Sequence, residues 1–377
     1  MSKEELRMHW EDSFDHKYVK LKKWLIDGMT NGQFRFGDRL PSENMLCRKF
    51  DLSRQTVRRA LDELEKEGAI KKVRGSGTFV NRVFAQPQRT SSVGILSTVL
   101  YEYIFPTIMF GAENILTSAG YGIEFGITYN KVENEANFLK RMLEINPMGL
   151  IIEGSKTNLP AMNVDLFREI QRKGIPVVFI HNQYAELSDI PCIIMDDVGS
   201  AFALTELLIQ NGHKKIAGIF KFDDVQGKYR YAGYGKALRA HKIPIVDEHV
   251  IWFDSYEWLG KEMNWVFEEI AECTAIVCYN DQVCIKVLAE MKRRGLSVPT
   301  DISVVSIDDT NLIANLEVGI TSAVHPKEII GEVAAKTLIK MIEDNTVGNK
   351  SYSKVMPVEI VVRQSIANRK KMEKHHE

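Results

Sequence analysis

Two hydrophobic rhythms divide the chain. Up to about residue 80 the spacing is helical. Within 53–67, Val57, Ala60, Leu61 and Leu64 fall at i, i+3, i+4 and i+7, the buried stripe of one α-helix. A shorter helix is predicted at 42–50, parted from the first by Asp51-Leu52, and Ser42 and Ser53 stand where N-caps belong. Gly68 ends the longer helix. Then 70–73, a turn at 74–77 and 78–80 read as a β-hairpin. Two short helices followed by a hairpin predict a winged helix-turn-helix.

From residue 93 the rhythm changes. Short runs rich in β-branched residues recur at 93–96, 122–127, 149–152, 176–180, 192–195, 215–220, 275–279 and 302–307. Amphipathic stretches such as 201–210, 231–241 and 281–294 separate most of them. Strand and helix in alternation predict an α/β fold of doubly wound parallel sheets. Polar residues close several strands: Glu153, His181, Asp196-Asp197, Asn280-Asp281 and Asp308-Asp309. In such sheets ligands bind beyond the carboxyl ends of the strands. The organisation expected is a winged helix-turn-helix over 14–82, a polar linker over 83–91 and a ligand-binding, dimerising domain over 92–368.

Charge sharpens this division. The 377 residues carry a formal charge of −1, but 16–82 hold 16 Lys+Arg against 8 Asp+Glu, while 83–377 hold 31 against 37. A basic module on an acidic body is the footprint of a nucleic-acid reader carrying a second domain. No apolar run approaches the ~20 residues of a membrane span, and the polar N-terminus has no secretory signal. The five cysteines, none in C-x-x-C spacing, read as buried thiols of a cytoplasmic protein.

In the basic module, the stripe of the second helix turns Gln55, Arg58 and Arg59 outward and leaves Arg54 and Thr56 in the exposed first turn. Arg54 and Arg58 have the fork geometry for guanine in the major groove; Lys71, Lys72 and Arg74 on the hairpin suit phosphate. The stretch resembles the DNA-binding domain of the GntR family. Gly37-x-x-Leu40-Pro41-Ser42-Glu43, Leu52-Ser53-Arg54-x-Thr56-Val57-Arg58-x-Ala60-Leu61 and Gly75-x-Gly77-Thr78-Phe79-Val80 carry the likeness, in register over about 45 residues. The resemblance implies that Lys17, Tyr18, Glu43, Arg54, Gln55, Thr56, Arg58, Arg74, Gly75 and Gly77 form the surface against palindromic double-stranded operator DNA. Glu43, an acid beside a polyanion, fits a cytosine amino group or an orienting pair with an arginine.

In the acidic body, three strand or helix ends could bring Arg230, Asn280 and Asp308 to one point; the alternative is that such residues are helix N-caps, a role that suits Asp281 and Asp309. The body resembles LacI/GalR effector domains, themselves similar to periplasmic sugar-binding proteins. The marks are Arg230-x-x-Gly233-Tyr234, Cys278-Tyr279-Asn280-Asp281 and Val298-Pro299-x-Asp301-Ile302-Ser303-Val304-Val305-x-Ile307-Asp308-Asp309. A GntR-type head on this body most resembles the arabinose-responsive repressors of Gram-positive bacteria, over roughly 16–367. That resemblance implies a cytoplasmic homodimer whose effector is L-arabinose. Arg230, Asn280 and Asp308 would hold the sugar, joined by Tyr103, Phe105, Glu153 and Lys156; Tyr103 and Phe105 also suit core positions.

Catalysis has little support. There is no P-loop, G-x-S-x-G elbow or H-E-x-x-H, and Ser351-x-x-Lys354 lacks the partners of an S-x-x-K enzyme. The histidines are scattered, so neither a metal nor a cofactor is expected. A sugar-processing enzyme and a regulator answering a different sugar are the alternatives.

Overall fold

The computed structural model describes residues 14–30, 33–34, 36–73, 76–81, 90–99, 103–255 and 263–370. The chain divides into two compact units, 1–88 and 89–377.

In the first unit, α1 (Phe14–Thr30) packs on α3 (Arg54–Lys66), which follows α2 (Glu43–Phe50). Both predicted caps form. Ser42 Oγ accepts the Met45 N–H at 3.3 Å and Ser53 Oγ accepts that of Thr56 at 3.2 Å. Between the helices Asp51 takes a left-handed conformation, φ 52°, and turns the chain. The stripe Val57, Ala60, Leu61 and Leu64 is buried against Leu21, Leu25, Leu46 and Phe50. Strands β1 (Ile70–Val73) and β2 (Gly77–Val80) pair antiparallel, and a bridge from Arg39 to Phe79 extends the wing.

The second unit holds two six-stranded sheets. In the first, β3 (Thr90–Ser97), β4 (Gly122–Ile127), β5 (Pro147–Ile152), β6 (Val177–Ile180), β7 (Cys192–Met195) and β13 (Lys354–Met356) run in the order β13-β7-β6-β5-β3-β4, all parallel. The second contains β8 (Ile216–Lys221), β9 (Val250–Phe253), β10 (Ala275–Cys278), β11 (Ser303–Asp308), β12 (Thr321–Val324) and β14 (Ile360–Val361), in the order β14-β12-β11-β10-β8-β9. Only the β12–β14 pairing is antiparallel. Strand β3 starts at Thr90, inside the stretch expected as linker, and 82–89 lie outside the described residues.

The strands read as continuous apolar runs because helices cover both faces. Successive residues enter opposite cores. Ile95, Ile151, Val178 and Ile193 pack beneath α4 (Phe105–Ser118) and α12 (Lys327–Glu343). Their neighbours Leu96, Ile152, Val177 and Cys192 face α5 (Val132–Ile145) and α6 (Val164–Arg172). The second sheet repeats the pattern. Phe220, Val277 and Val305 meet α7 (Asp197–Gln210) and α8 (Val225–Ala240), whereas Ile219, Ile276 and Val304 meet α9 (Asn264–Glu269) and α10 (Asp281–Arg293). Each such buried Ile, Leu or Phe contributes about 1.5–3 kcal/mol.

The chain passes between the two subdomains three times: from β7 into α7, from β12 into α12, and from β13 to β14. Neither lobe is therefore a continuous segment, and β13, near the carboxyl end, completes the first sheet. Helices α4 and α12 lie closest at Gly111 and Gly331. A Cβ on Gly331 would stand 2.0 Å from the Ile108 carbonyl oxygen. Backbone, not a yielding side chain, fills that space, so Gly331→Val should destabilise the body by about 1–3 kcal/mol. The check is thermal unfolding, where an unchanged midpoint would show that the helices separate freely.

Candidate ligand cleft and nucleic-acid interface

The carboxyl ends of both sheets face one cleft. From the first sheet come Ser97-Thr98 after β3, Glu153 after β5 and His181 after β6; from the second come Lys221 at the end of β8, Tyr279 and Asn280 after β10, Asp308 at the end of β11 and His325 after β12. Six residues here hold positive φ without being glycine: Tyr103 at 67°, Asn130 at 55°, Lys156 at 50°, His181 at 64°, Asp308 at 107° and Asp309 at 47°. Strained backbone concentrated at strand ends is the pattern of a site that tertiary packing over-determines.

Arg230, on the second turn of α8, stands at the centre and is 1% exposed. Its Nε donates to Asp197 Oδ1 at 2.8 Å and its Nη1 to the Tyr279 carbonyl at 2.6 Å. Its Nη2 lies 3.7 Å from Asp308 Oδ1, and the guanidinium rests 4.5 Å over the Tyr279 ring. Burial opposes its charge, but Asp197 and Asp308 outweigh burial and raise its pKa. Burial pushes Asp197 up to about 6 despite Arg230. It pushes Asp281 up to about 7, with the Asp308 charge adding to the shift. Asp308 is raised as well, again by burial, which Arg230 only partly offsets.

Several polar atoms around Arg230 are buried without a hydrogen-bond partner among the described residues: Asp308 Oδ1, His181 Nε2 and both ring nitrogens of His325. The two imidazoles meet edge-on at 5.0 Å, and Phe105 stands 6.0 Å from His181. Burial, together with the neighbouring cations Lys327 and Arg230, keeps His325 neutral, so one of its nitrogens donates and the other accepts. Buried polar atoms left unpaired in a native fold call for explanation, and a polar ligand supplies one. Beside His181 opens a cavity of about 470 Å³, lined from the first subdomain by Asn182 and Tyr184 and from the second by Val225 and Tyr229; Arg230, Asp308 and His325 are not on its wall. That volume is ample for a small ligand.

The expected ligand residues fall into three groups. Arg230 and Asp308 meet each other, and Tyr103 joins them: its hydroxyl donates to Asp308 Oδ2 and accepts the Asp281 N–H at 3.1 Å. Phe105, half-buried at the start of α4, packs partly into the core. Glu153 is engaged within its own lobe. Thr98 N–H and Oγ1 donate to its Oε2 at 2.7 and 2.8 Å, and His181 Nδ1 lies 3.0 Å from Oε1. Burial disfavours that carboxylate, yet these bonds lower its pKa overall. The Lys156 N–H donates to Asn130 Oδ1 at 2.7 Å. Asn280 Oδ1 caps α10 by accepting the Val283 N–H at 3.0 Å. The capping role expected of Asp281 and Asp309 thus belongs to Asn280 and, for α11 (Asn311–Ala314), to Thr310. Asp281 is instead wholly buried, accepting from Ser306 Oγ at 2.6 Å and from Thr310 N–H at 2.7 Å. Sequence reasoning did not include His181, Asp197, Tyr279, Asp281 and His325 in the set, although each lies at or just beyond a strand end.

On the head, Arg54, Gln55 and Arg58 are exposed on α3. Arg58 Nε donates to Glu43 Oε2 at 2.9 Å, an ion pair between α3 and α2. Tyr18 is half-buried with the Arg59 guanidinium 3.9 Å over its ring, and Lys17 is half-buried beside it. Gly77 sits at φ 121°, where a side chain would be strained. Two expectations need correction. Thr56 is not in an exposed turn: it is 6% exposed, its hydroxyl 2.8 Å from Ser53 Oγ, because the cap bond draws it inward. Lys72 is not free for phosphate: its Nζ pairs with Asp62 and, at 3.4 Å, with Glu65 of α3. Arg74 and Gly75 lie outside the described residues.

Residues 17–80 match the model of bacterial regulatory proteins of the gntR family, and residues 205–366 match the periplasmic binding protein-like domain. The chain is 38% identical to the arabinose metabolism transcriptional repressor of Geobacillus stearothermophilus, over 93% of this chain and 97% of that one. It is 34% identical to the protein of the same name from Halalkalibacterium halodurans, over 96% and 98%. Among solved structures it resembles the transcription regulator CcpA of Lactococcus lactis, with a TM-score of 0.66 and 25% identity over 74% of this chain and all of that one.

Asp281 makes the cleft's electrostatics measurable. Its native pKa of about 7 exceeds the ~3.9 of an unfolded aspartate. The native state therefore holds a proton that the unfolded chain releases, and this contribution to stability is full below pH 4 and lost as pH rises toward 7. Asp281→Asn should flatten the fall in melting temperature between pH 4.5 and 7; a slope equal to wild type would mean that Asp281 is ionised throughout.

Proposed function

The chain belongs to the family of arabinose metabolism transcriptional repressors, and we propose that it binds operator DNA through its winged helix and is released when L-arabinose enters the cleft. It is a regulator, not a catalyst. The observation that carries the sugar reading is the buried set around Arg230: Asp308 Oδ1, His181 Nε2 and two His325 nitrogens, donors and acceptors without partners. Carboxylates and cations alternate there, Asp197 and Asp308 against Arg230, Lys221 against Asp224. A neutral polyhydroxylated ligand suits such a surface, because each hydroxyl both donates and accepts.

The mechanism follows from two lobes joined by three crossings of the chain. Sugar hydroxyls bridging Asp308 and His325 of one lobe to His181 of the other, with the Phe105 ring against the sugar's C–H face, favour closure. Closure repositions the two heads of a homodimer, whose two-fold axis matches a palindromic operator. On the head, Glu43 holds Arg58 by Nε alone, which pre-orients the guanidinium toward a base edge. Arg54 and Gln55 flank it, and Lys17, Tyr18 and the Arg74–Gly77 turn complete the contact surface, while Thr56, buried at the cap, supports α3 from beneath.

The deciding experiment is a thermal-shift panel of pentoses and hexoses. A ligand at 100 times its dissociation constant stabilises by about 2.7 kcal/mol, a shift of several degrees. L-arabinose should give that shift, and Asp308→Ala should abolish it in a protein that still binds operator. A shift with a different sugar alone would replace the effector; none with any sugar would remove the reading. For the head, Arg58→Ala should cost about 1–3 kcal/mol on the specific site and relax discrimination at one base. Lys72→Ala, already neutralised by Asp62 and Glu65, should leave the salt dependence of binding unchanged. A slope reduced by about one would show that Lys72 leaves those carboxylates for phosphate.

A further inference from the structure

Tyr103 combines three features. Its backbone sits at φ 67°, a left-handed conformation that an aromatic residue rarely adopts. Its side chain leaves the first subdomain, from the connection between β3 and α4, and ends on the second. There a single oxygen donates to the Asp308 carboxylate and accepts the Asp281 N–H at 3.1 Å. One oxygen that both gives and takes a hydrogen bond, beside Arg230, has the bonding pattern of an alcohol. Burial and the charges of Asp308 and Asp281 push the phenol's pKa far up, so it stays a donor at physiological pH.

We propose that the Tyr103 hydroxyl is a built-in substitute for an effector hydroxyl: it bridges the cleft of the sugar-free protein and must leave Asp308 when the sugar binds. This rests on reading the cleft as the sugar site. It also selects the ligand, which must bring to that point a hydroxyl able to donate to Asp308 and accept from the Asp281 N–H. A ligand without one leaves a buried carboxylate unpaired.

Three states follow. The open body holds operator; the Tyr103-bridged body and the sugar-bound body are both closed. The bridged population is withdrawn from operator and from sugar alike, so it reduces both apparent affinities by one common factor. Tyr103→Phe removes the bridge without removing the ring. It should therefore tighten operator binding in the absence of sugar and tighten L-arabinose binding in the absence of DNA, each by the same factor, roughly three- to tenfold. Tyr103→Leu should move both in the same direction.

The measurement is a pair of titrations on each full-length protein: L-arabinose by calorimetry, and a duplex enriched by the wild-type protein from a randomised pool by fluorescence anisotropy. Weaker sugar binding with unchanged operator affinity would make Tyr103 an ordinary sugar contact and overturn the proposal. No change in either would make it a structural side chain, with the same consequence. If L-arabinose binds neither protein, the effector assignment fails, and the operator titration still decides: tightening supports the bridge and equality refutes it.

Discussion

A guanidinium that is 1% exposed must be neutralised where it lies, and most of the cleft is arranged to do so for Arg230. Its partners come from separate parts of the chain: Asp197 at the first passage between lobes, Tyr279 after β10, and Asp308 at the end of β11. Removing one partner of such a buried pair typically costs about 3–5 kcal/mol. The ion cluster thereby fixes the register of α7, α8 and two strand ends against one another. Its incomplete saturation is equally consequential. The 3.7 Å separation of Asp308 from Arg230 keeps Asp308 Oδ1 available to a ligand, while Oδ2 is held by Tyr103.

Among the described residues, polar contacts hold the lobes together. Beside Tyr103, Asn130 Nδ2 donates to Asp223 at 3.1 Å and to Ser255 Oγ at 2.7 Å, Asn158 Nδ2 to the Phe222 carbonyl at 2.8 Å, the Val225 N–H to Thr157 Oγ1 at 3.3 Å, and Lys327 Nζ to the Asp308 and Asp309 carbonyls at 2.5 and 3.2 Å. Each lobe, by contrast, has its own two-sided apolar core. A handful of polar contacts between two rigid bodies, joined by three short crossings, is a suitable bistable element: differential affinity of a small ligand for one arrangement can shift it by the ordinary 1–3 kcal/mol of allosteric coupling.

Much of this was legible in the sequence. Of the eight apolar runs, 122–127 and 192–195 became strands with the same bounds and the other six shifted by at most three residues, and the stripe of α3 and both serine caps stand as the spacing indicates. Strand β9, Val250-Ile251-Trp252-Phe253, is such a run missing from those eight, whereas β12, β13 and β14 carry none; Thr321-Ser322-Ala323-Val324 reads as polar, and its place between β11 and β14 is a tertiary matter. Because β12 was hidden, so was the strand-end position of His325. Thr56 and Lys72 escaped for a local reason: periodicity places a residue on a face, but a cap bond or a nearby carboxylate pair decides what its side chain does. Glu43 is the opposite case, since its pairing with an arginine was one of the options its charge suggested.

The central claim is that one equilibrium of the body connects sugar and operator. Linkage makes it quantitative, because a sugar that weakens operator binding by a given factor must itself be weakened by operator to the same degree. The direct test measures the operator dissociation constant with and without saturating L-arabinose, and the L-arabinose constant with and without saturating operator. The account predicts equal factors, both clearly above one and on the order of 5–150. A factor of one in each direction would mean that the cleft and the head are energetically independent, and would contradict it.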